Sequence, residues 1–217
     1  HMGGFTAFEL DVTDLVEPGK ENLFALAVKK ESLTDEKFTT FGSKYAAFPI
    51  GGISRKMTLF AVPAAHLRDI YVTTAFDNEF RNATLNLALE VANEGTGALE
   101  DARLRLELKD PSGNTVEIAP HPIPLKKAAA GEAMIDELRL AIASPATWDA
   151  EHPRLYTLTC RLEAGGRQVE VVQRRFGFRQ VEVRGNQLLV NGCPVKLRGV
   201  CRHEAHATRG RSLAPGM

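Results

Sequence analysis

The side chains best suited to chemistry lie together between positions 201 and 206: Cys201, Arg202, His203, Glu204 and His206. Thiolate and imidazole groups bind zinc, so Cys201, His203 and His206, with Cys193 nearby, allow a metal site, although their spacing matches no standard zinc framework. Glu204 and His206 also allow acid–base chemistry on an activated substrate. A plainer interpretation is a solvated polar segment near the end of the chain.

Two isolated residues are further candidates. Trp148 lies in the loop between Pro145 and Pro153. Its ring could stack on a sugar, but this proline-bounded context favours a ring that closes one end of the fold. Cys160 alternates with Leu158 and Leu162 along the sequence, so we expect a small buried hydrophobic side chain rather than a nucleophile.

Composition excludes several classes of partner. The 217 residues carry 27 basic and 27 acidic side chains, and such a balanced chain has no strong field for nucleic acid or an anionic membrane surface. No apolar run reaches the roughly 18 residues of a membrane span. We therefore expect neither a nucleic-acid nor a membrane partner. The odd count of three cysteines and the absence of a visible signal peptide favour the cytoplasm.

Hydrophobic residues alternate with a period of two, which predicts half-buried antiparallel strands. The clearest strand covers residues 83–93, with one apolar face made of Ala83, Leu85, Leu87, Leu89 and Val91. Further strands are predicted at 102–110 and 156–162, and more weakly at 135–142 and 167–178. Turn signals such as Asp110-Pro111-Ser112-Gly113 separate them. The fold class is therefore all-β, with an immunoglobulin-like β-sandwich at its centre.

The flanking segments differ in character. Within residues 3–62, strand-like runs are predicted at 8–12, 22–28 and 57–62, too few to close a sandwich. Residues 179–200 predict a hairpin with strands at 181–184, 188–190 and 195–197. Its turns are Gly185-Asn186 and Asn191-Gly192, and Asn-Gly between apolar residues is a strong hairpin signal.

Three groups of motifs, in this order, resemble glycoside hydrolase family 2, the β-galactosidase, β-glucuronidase and β-mannosidase group. The first group is Gly3-Gly4-Phe5-Thr6-Ala7-Phe8 and Phe48-Pro49-Ile50-Gly51-Gly52-Ile53-Ser54-Arg55. The second is Pro153-Arg154-Leu155-Tyr156 and Arg175-Phe176-Gly177-Phe178-Arg179. The third runs from Leu188-Leu189-Val190-Asn191-Gly192 through Arg198-Gly199-Val200-Cys201-Arg202-His203-Glu204.

The resemblance implies three parts. Residues 3–63 would end a jelly-roll sugar-binding domain, 66–178 would form the immunoglobulin-like sandwich, and 179–217 would begin a catalytic (β/α)8 barrel as a hairpin stub. It also implies that His206, His203, Arg202 and Glu204 bind substrate in a sugar pocket. β-Galactosidases of the family carry an Asp and a Trp where this sequence has Ala46 and Phe48, which argues against galactose as the sugar.

The family's retaining chemistry uses two glutamates, roughly 5–5.5 Å apart, carried by later barrel strands. No residue of this chain matches either, so no catalytic residue is assigned. We expect a non-catalytic fragment of a retaining exo-β-glycosidase that meets carbohydrate through the parent enzyme and needs no cofactor or metal. We also expect a homodimer or larger assembly through exposed sheet edges.

Two alternatives come from other functional classes. One is a weak carbohydrate-binding module that uses the remnant of the jelly roll. The other is a metal-dependent or promiscuous hydrolase that uses Cys201, His203, Glu204 and His206.

Overall fold

The computed structural model describes residues 7–28, 53, 56–118 and 122–201. The chain divides into two compact units, one formed by His1–Leu59 with Gly199–Met217 and the other by Phe60–Arg198. Each unit is described by itself below.

The unit Phe60–Arg198 contains the eleven strands of the described chain. They are β1 (Ala65–Phe76), β2 (Ala83–Asn93), β3 (Arg103–Lys109), β4 (Thr115–Val116), β5 (Ile123–Pro124), β6 (Ala133–Ile142), β7 (Tyr156–Ala164), β8 (Arg167–Phe176), β9 (Val181–Arg184), β10 (Gln187–Val190) and β11 (Cys193–Pro194).

The first eight strands form two antiparallel sheets. One sheet has the order β1-β2-β6, and the other has the order β4-β3-β7-β8, with β5 paired to β3. Two antiparallel sheets in this order are typical of the immunoglobulin-like sandwich. The prediction of an all-β fold is therefore confirmed, and so are the strands predicted at 83–93, 102–110, 135–142, 156–162 and 167–178, within a few residues at their ends.

The core of the sandwich consists of the apolar faces that the alternation predicts. On β2, Leu85, Leu87 and Leu89 are at most 1% exposed. They belong to one buried cluster with the inward residues of the opposite sheet, which are Leu104, Leu106, Leu108, Leu158, Cys160 and Leu162. Period-two patterning places all these side chains on one face of each strand, so a single hydrophobic core joins the two sheets.

The outer edge of β1 is covered by side chains rather than by another strand. Glu170 Oε2 accepts a hydrogen bond from the backbone N–H of Leu67 at 2.7 Å. Gln180 Oε1 accepts one from the N–H of Phe76 at 2.8 Å. Because these acceptors occupy an N–H group near each end of β1, they oppose the pairing of those ends with another chain.

Beyond the sandwich, β9, β10 and β11 form a small three-stranded sheet. Gly185, at the first position of one turn, has a φ of +61°, as a type II′ turn requires, whereas Asn191 and Gly192 both have positive φ, as in type I′. The first two predicted strands are confirmed. The third was predicted at 195–197 and is wrong, because the two-residue turn pairs Cys193 with Val190 and the strand ends at Pro194.

A second correction concerns residues 7–62, which belong to the other unit up to Leu59. The strands predicted at 8–12, 22–28 and 57–62 are absent, and the one regular element within the described residues 7–28 is a 3₁₀ helix at Thr13–Leu15. A strand needs a hydrogen-bonded neighbour, and an alternating sequence alone does not supply one. Several apolar side chains of these stretches are consequently exposed, among them Leu10 at 68% and Leu23 at 96%.

No helix within the described ranges has the length and hydrophobicity needed to cross a membrane.

Candidate functional site

The four side chains predicted to bind substrate, Arg202, His203, Glu204 and His206, lie outside the described residues. The cysteines of the alternative metal site are described, and both Cys193 and Cys201 are free and exposed. Within residues 7–28, 53, 56–118 and 122–201, no three His, Cys, Asp or Glu side chains are grouped to hold a metal ion. The substrate-binding and metal assignments therefore stay predictions.

The described site is the place where the β9–β11 hairpin meets one end of the sandwich. We call it the hairpin joint and define it by Phe80, Trp148, Gly177, Arg179 and Asn191. These residues come from the β1–β2 loop, the loop before β7, the segment after β8 and the turn between β10 and β11. The joint is thus assembled from residues far apart in sequence.

Asn191 connects three parts of the joint. Its backbone N–H donates to the carbonyl of Gln180 at 2.9 Å, and its Oδ1 accepts from the Gln180 N–H at 2.9 Å. Its Nδ2 donates to the carbonyl of Trp148 at 3.0 Å. A φ of +52° places Asn191 in the left-handed region, which asparagine tolerates better than most residues. One side chain thus ties the hairpin turn to both the sandwich loop and the segment before β9.

Phe80 fixes the other side of the same turn. A Cβ atom at Gly192 would lie 2.6 Å from Phe80 Cε2, and Gly192 also has a φ of +74°. Glycine is therefore required here both for its backbone conformation and for its lack of a side chain. The Phe80 ring lies 5.8 Å from the ring of Phe76 at the end of β1, so the turn rests on the sandwich itself.

Trp148 is held from several directions. Its backbone N–H donates to the carbonyl of Phe178 at 2.8 Å. The guanidinium carbon of Arg179 lies 4.6 Å from the centroid of its ring, a geometry that favours cation–π attraction. Because Arg179 covers one ring face, that face is not open to a sugar. The half-buried ring matches the structural interpretation, in which it closes one end of the fold.

Tyr156 supports the loop that carries Trp148. Its Oη accepts a hydrogen bond from the backbone N–H of Ala146 at 2.8 Å, and its ring lies 4.8 Å from that of Phe178, nearly perpendicular to it. A tyrosine at the start of this strand that bonds back to the preceding loop is the tyrosine corner of immunoglobulin-like sandwiches. Burial raises the pKa of the Tyr156 hydroxyl.

An exposed Asp–His contact lies in the same loop. Asp149 Oδ1 accepts from the backbone N–H groups of Glu151 at 2.8 Å and His152 at 2.7 Å, and the His152 ring lies 3.2 Å away. The backbone hydrogen bond from His152 is the main cause of the lowered pKa of Asp149. These bonds are typical of a loop-closing aspartate, so we assign the pair to loop structure.

The joint is built to position and not to react. Its groups are amides, aromatic rings and a guanidinium, which orient a segment of chain but supply no nucleophile. The one thiol of the sandwich core, Cys160, is fully buried, and burial raises its pKa to about 12. A thiol in that state is no nucleophile at neutral pH, which agrees with the prediction for Cys160.

Comparison with known protein families shows to which family the chain belongs. The family model of glycosyl hydrolases family 2 matches residues 65–179, which include the whole sandwich. The chain belongs to glycosyl hydrolases family 2. A second model, the TIM barrel domain of the same family, matches residues 181–216. The family resemblance of the sequence motifs is thereby confirmed.

Curated family 2 relatives match nearly the whole chain. A β-galactosidase of Priestia megaterium is 30% identical over 213 residues, which cover 96% of this chain and 19% of that protein. A putative β-glucuronidase of Formosa agariphila is 31% identical over 217 residues, covering 99% of this chain and 24% of that protein. The chain thus spans about a fifth to a quarter of the length of these relatives.

Solved structures of the family share the fold. A β-glucuronidase of Bacteroides uniformis superposes with a TM-score of 0.60 at 24% identity, covering 70% of this chain and 19% of that one. A β-glucuronidase of Parabacteroides merdae gives a TM-score of 0.57 at 21% identity, covering 70% and 18%. At these identities the likeness establishes the fold alone.

The sequence indicated some residues of the joint but not their roles. Asn191-Gly192 was predicted as a turn, and Trp148 as a residue that closes the end of the sandwich. The hydrogen bond from Asn191 to Trp148 joins residues 43 positions apart in sequence, and no local sequence pattern predicts it. The Tyr156–Ala146 bond had a usable signal, a tyrosine at the start of a predicted strand after a proline-bounded loop.

Proposed function

We propose that this chain is a supporting section of a family 2 retaining exo-β-glycosidase. In this proposal residues 3–63 end the jelly roll, 66–178 form the sandwich and 179–217 begin the barrel. The observation that carries it is the junction at Gln180. The sandwich family model ends at residue 179, the barrel model begins at 181, and Asn191 holds Gln180 through two hydrogen bonds.

The work of the joint in this proposal is to fix the direction in which the chain leaves the sandwich. Beyond the hairpin come Arg202, His203, Glu204 and His206, which we propose as substrate-binding side chains. Guanidinium and imidazole groups donate hydrogen bonds to sugar hydroxyls, and a carboxylate accepts them. The relatives are named β-galactosidases and β-glucuronidases, so a β-linked galactoside or glucuronide is the proposed substrate class.

Assays with chromogenic sugars test the proposal. The purified 217-residue chain, made in a host without β-galactosidase or β-glucuronidase, is expected to release no p-nitrophenol from either β-glycoside above the buffer rate. The same reading frame extended through a complete barrel is expected to hydrolyse one of them. In that longer protein, His206→Ala should raise KM, because a ligand of the sugar is lost.

Two results would contradict this function. Hydrolysis by the 217-residue chain itself, lost in His206→Ala, would identify a self-contained hydrolase, and sensitivity to a chelator would make it metal-dependent. An extended frame that encodes no pair of barrel glutamates would remove the glycosidase assignment.

We also propose that the chain self-associates. The exposed apolar side chains of the smaller unit support this, since Leu10, Leu23 and Met57 are each more than 60% exposed and such surface favours association. Strand β6 pairs with β2 along one edge. Within the described residues no strand pairs with the other edge of β6, which is therefore free. Light scattering should give the mass of a dimer or larger assembly, and a single monomer mass would contradict the proposal.

A further inference from the structure

The outer faces of the two sandwich sheets differ in kind. On the β3–β7–β8 side, charged residues pair across the strands, with Arg105 to Glu163 at 2.6 Å and Arg161 to Glu107 at 3.2 Å. Such a ladder of opposite charges is typical of a surface that faces solvent. The outer face of the β1-β2-β6 sheet has no such ladder at its centre, and it forms a shallow, open groove instead.

The groove follows the central strand β2. Its floor is half-buried and its two walls, on β1 and β6, are exposed. Two cross-strand rows define it, Tyr71–Ala88–Glu137 and Thr73–Asn86–Arg139. Two adjoining depressions, of about 580 and 290 Å³, share Asn86 and Arg139 in their linings. We call this surface the β2 groove.

Small side chains keep the β2 groove open. Ala88 lies between Tyr71 and Glu137, and the next row continues with Ala75, Thr84 and Ala141. Tyr71 is 64% exposed, pairs with Ala88 across the strands and lines the same depression as Ala88. An aromatic wall beside an open floor suits a flat ligand with an apolar face.

The polar groups of the groove have no partners in the described part of the chain. The side chains of Asn86, Glu137 and Arg139 make no hydrogen bond or ion pair with any described residue. Together they offer guanidinium and amide donors and amide and carboxylate acceptors. Their charges, one negative and one positive, cancel, so the groove favours a neutral ligand rich in both donors and acceptors.

The size of the groove argues against a protein partner. Three strands about 4.8 Å apart and rows two residues apart, at about 3.3 Å per residue, span roughly 10 Å by 13 Å between Cα positions. A stable protein interface buries about 800 Å² on each partner. The groove is several times smaller, whereas a ligand of a few rings fits its length along β2.

We propose that the β2 groove binds a neutral, extended, β-linked oligosaccharide. The Tyr71 ring stacks on the C–H face of one sugar. Asn86, Glu137 and Arg139 bond the hydroxyls of that sugar and its neighbour. This site belongs to the sandwich and does not depend on the barrel segment, so its failure would leave the proposed function of the chain untouched.

Nuclear magnetic resonance of the 15N-labelled 217-residue chain tests the site. Cellotetraose and β-1,4-galactotetraose, each added up to about 20 mM to cover millimolar affinity, should produce saturable shifts at the amides of residues 71–75, 84–88 and 137–141. Maltotetraose, which is α-linked and curved, should bind at least about tenfold more weakly.

Matched variants localise the binding. Tyr71→Ala and Arg139→Ala should each weaken binding by about tenfold or more while leaving the rest of the spectrum unchanged, since both side chains are exposed. Arg175→Ala removes an exposed arginine from β8 in the other sheet and should leave the affinity unchanged.

Four results of the sugar titrations would overturn the proposal. They are an absence of saturable shifts with either β-linked sugar, shifts confined to residues 7–62, equal affinity in the Tyr71 and Arg139 variants, or an equal response to maltotetraose. Without sugar, shifts in the sandwich that depend on protein concentration are expected only along the free edge of β6; such shifts at residues 71–75 and 84–88 would identify a second copy of the chain as the occupant of the groove, and would be a fifth result against the proposal.

Discussion

A Cβ atom on Gly177 would lie 2.5 Å from the Cβ of Trp148. The approach is this close because the Trp148 N–H bonds to the carbonyl of Phe178 and Thr147 forms a parallel bridge with Phe178. The loop before β7 therefore lies directly on the segment that follows β8. Arg179, two positions on, covers the same ring. The end of the sandwich and the start of the hairpin share one contact surface.

Gly177→Ala should therefore destabilise the sandwich. The added methyl group would meet Cβ, Cγ and Cδ1 of Trp148 at 2.5 to 2.7 Å, and the Cβ is fixed to the backbone, so it cannot move without displacing the loop. Overpacking of this kind costs about 1–3 kcal/mol. The free energy of unfolding, measured with urea, should fall by that amount.

Gly97→Ala is the matched control, since a Cβ at Gly97 would meet nothing within 4 Å. Its free energy of unfolding should stay within about 0.5 kcal/mol of the parent value. Equal stability of the two variants would show that Trp148 moves away from the added methyl group without a loss of free energy of unfolding.

The alternation of hydrophobic residues predicted the sandwich, because this pattern is visible within each of its strands. Leu85, Leu87 and Leu89 are all buried, and the residues between them, Asn86 and Ala88, are half-buried on the other face. The same alternation misled at residues 22–28, where Leu23 is 96% exposed. Alternation describes one strand, but a strand exists only with a hydrogen-bonded neighbour, and pairing is a property of two segments.

The candidate site was harder to predict for the same reason. The chemistry of residues 202–206 was inferred from residue types and from family resemblance. The joint that precedes them depends on Asn191 meeting Trp148, and on Phe80 meeting Gly192, contacts between segments far apart in sequence. The turn formed by Asn191 and Gly192 is local and was predicted, whereas its docking partners were not.

Tyr156→Phe should weaken the loop that carries Trp148. The change removes the only oxygen of the side chain and leaves the N–H of Ala146, now bonded at 2.8 Å, without that acceptor. Because this donor is only partly buried, loss of the bond should cost about 0.5–1.5 kcal/mol, which urea unfolding would report. Tyr71→Phe, at a tyrosine that is 64% exposed, is the control and should be neutral. Similar losses in both variants would argue against a specific role for the Tyr156 hydroxyl.

Asn191→Ala should loosen the hairpin more than the sandwich. It removes the two side-chain bonds, to the Gln180 N–H and the Trp148 carbonyl, and forces alanine to a φ of +52°, a conformation that costs roughly 1 kcal/mol or more. Amide hydrogen exchange should accelerate at Gln180 and along β9 and β10, while amides of β2 and β7 keep their protection.

Two variants separate the causes of that loosening. Asn191→Gly keeps the backbone conformation at little cost but loses both side-chain bonds, so its exchange rates should lie between those of the parent and Asn191→Ala. Asn186→Ala, in the other hairpin turn, should change little. If β2 loses protection together with the hairpin, the joint is part of the global fold and not a separate element.

Cys160 should resist labelling in the folded chain. It is fully buried, whereas Cys193 and Cys201 are exposed. At pH 8, Ellman's reagent should titrate two thiols rapidly in the native protein and the third only in denaturant. Cys160→Ala should give two thiols under both conditions. Rapid reaction of three thiols in the parent chain would show that the core opens readily.

The same thiol should make stability fall at alkaline pH. Burial raises the pKa of Cys160 from 9.0 to about 12, so the folded state holds the proton more tightly than the unfolded state. Its contribution is complete below pH 9 and is lost as the pH rises toward 12, at up to about 1.4 kcal/mol per pH unit. The raised pKa of Tyr156 acts in the same direction.

Urea unfolding midpoints measured between pH 8 and 11 test this. With rising pH the midpoint should fall less steeply in Cys160→Ala than in the parent, while Cys193→Ala keeps the parent slope because that thiol is exposed. Identical slopes in all three proteins would assign the alkaline loss to other groups.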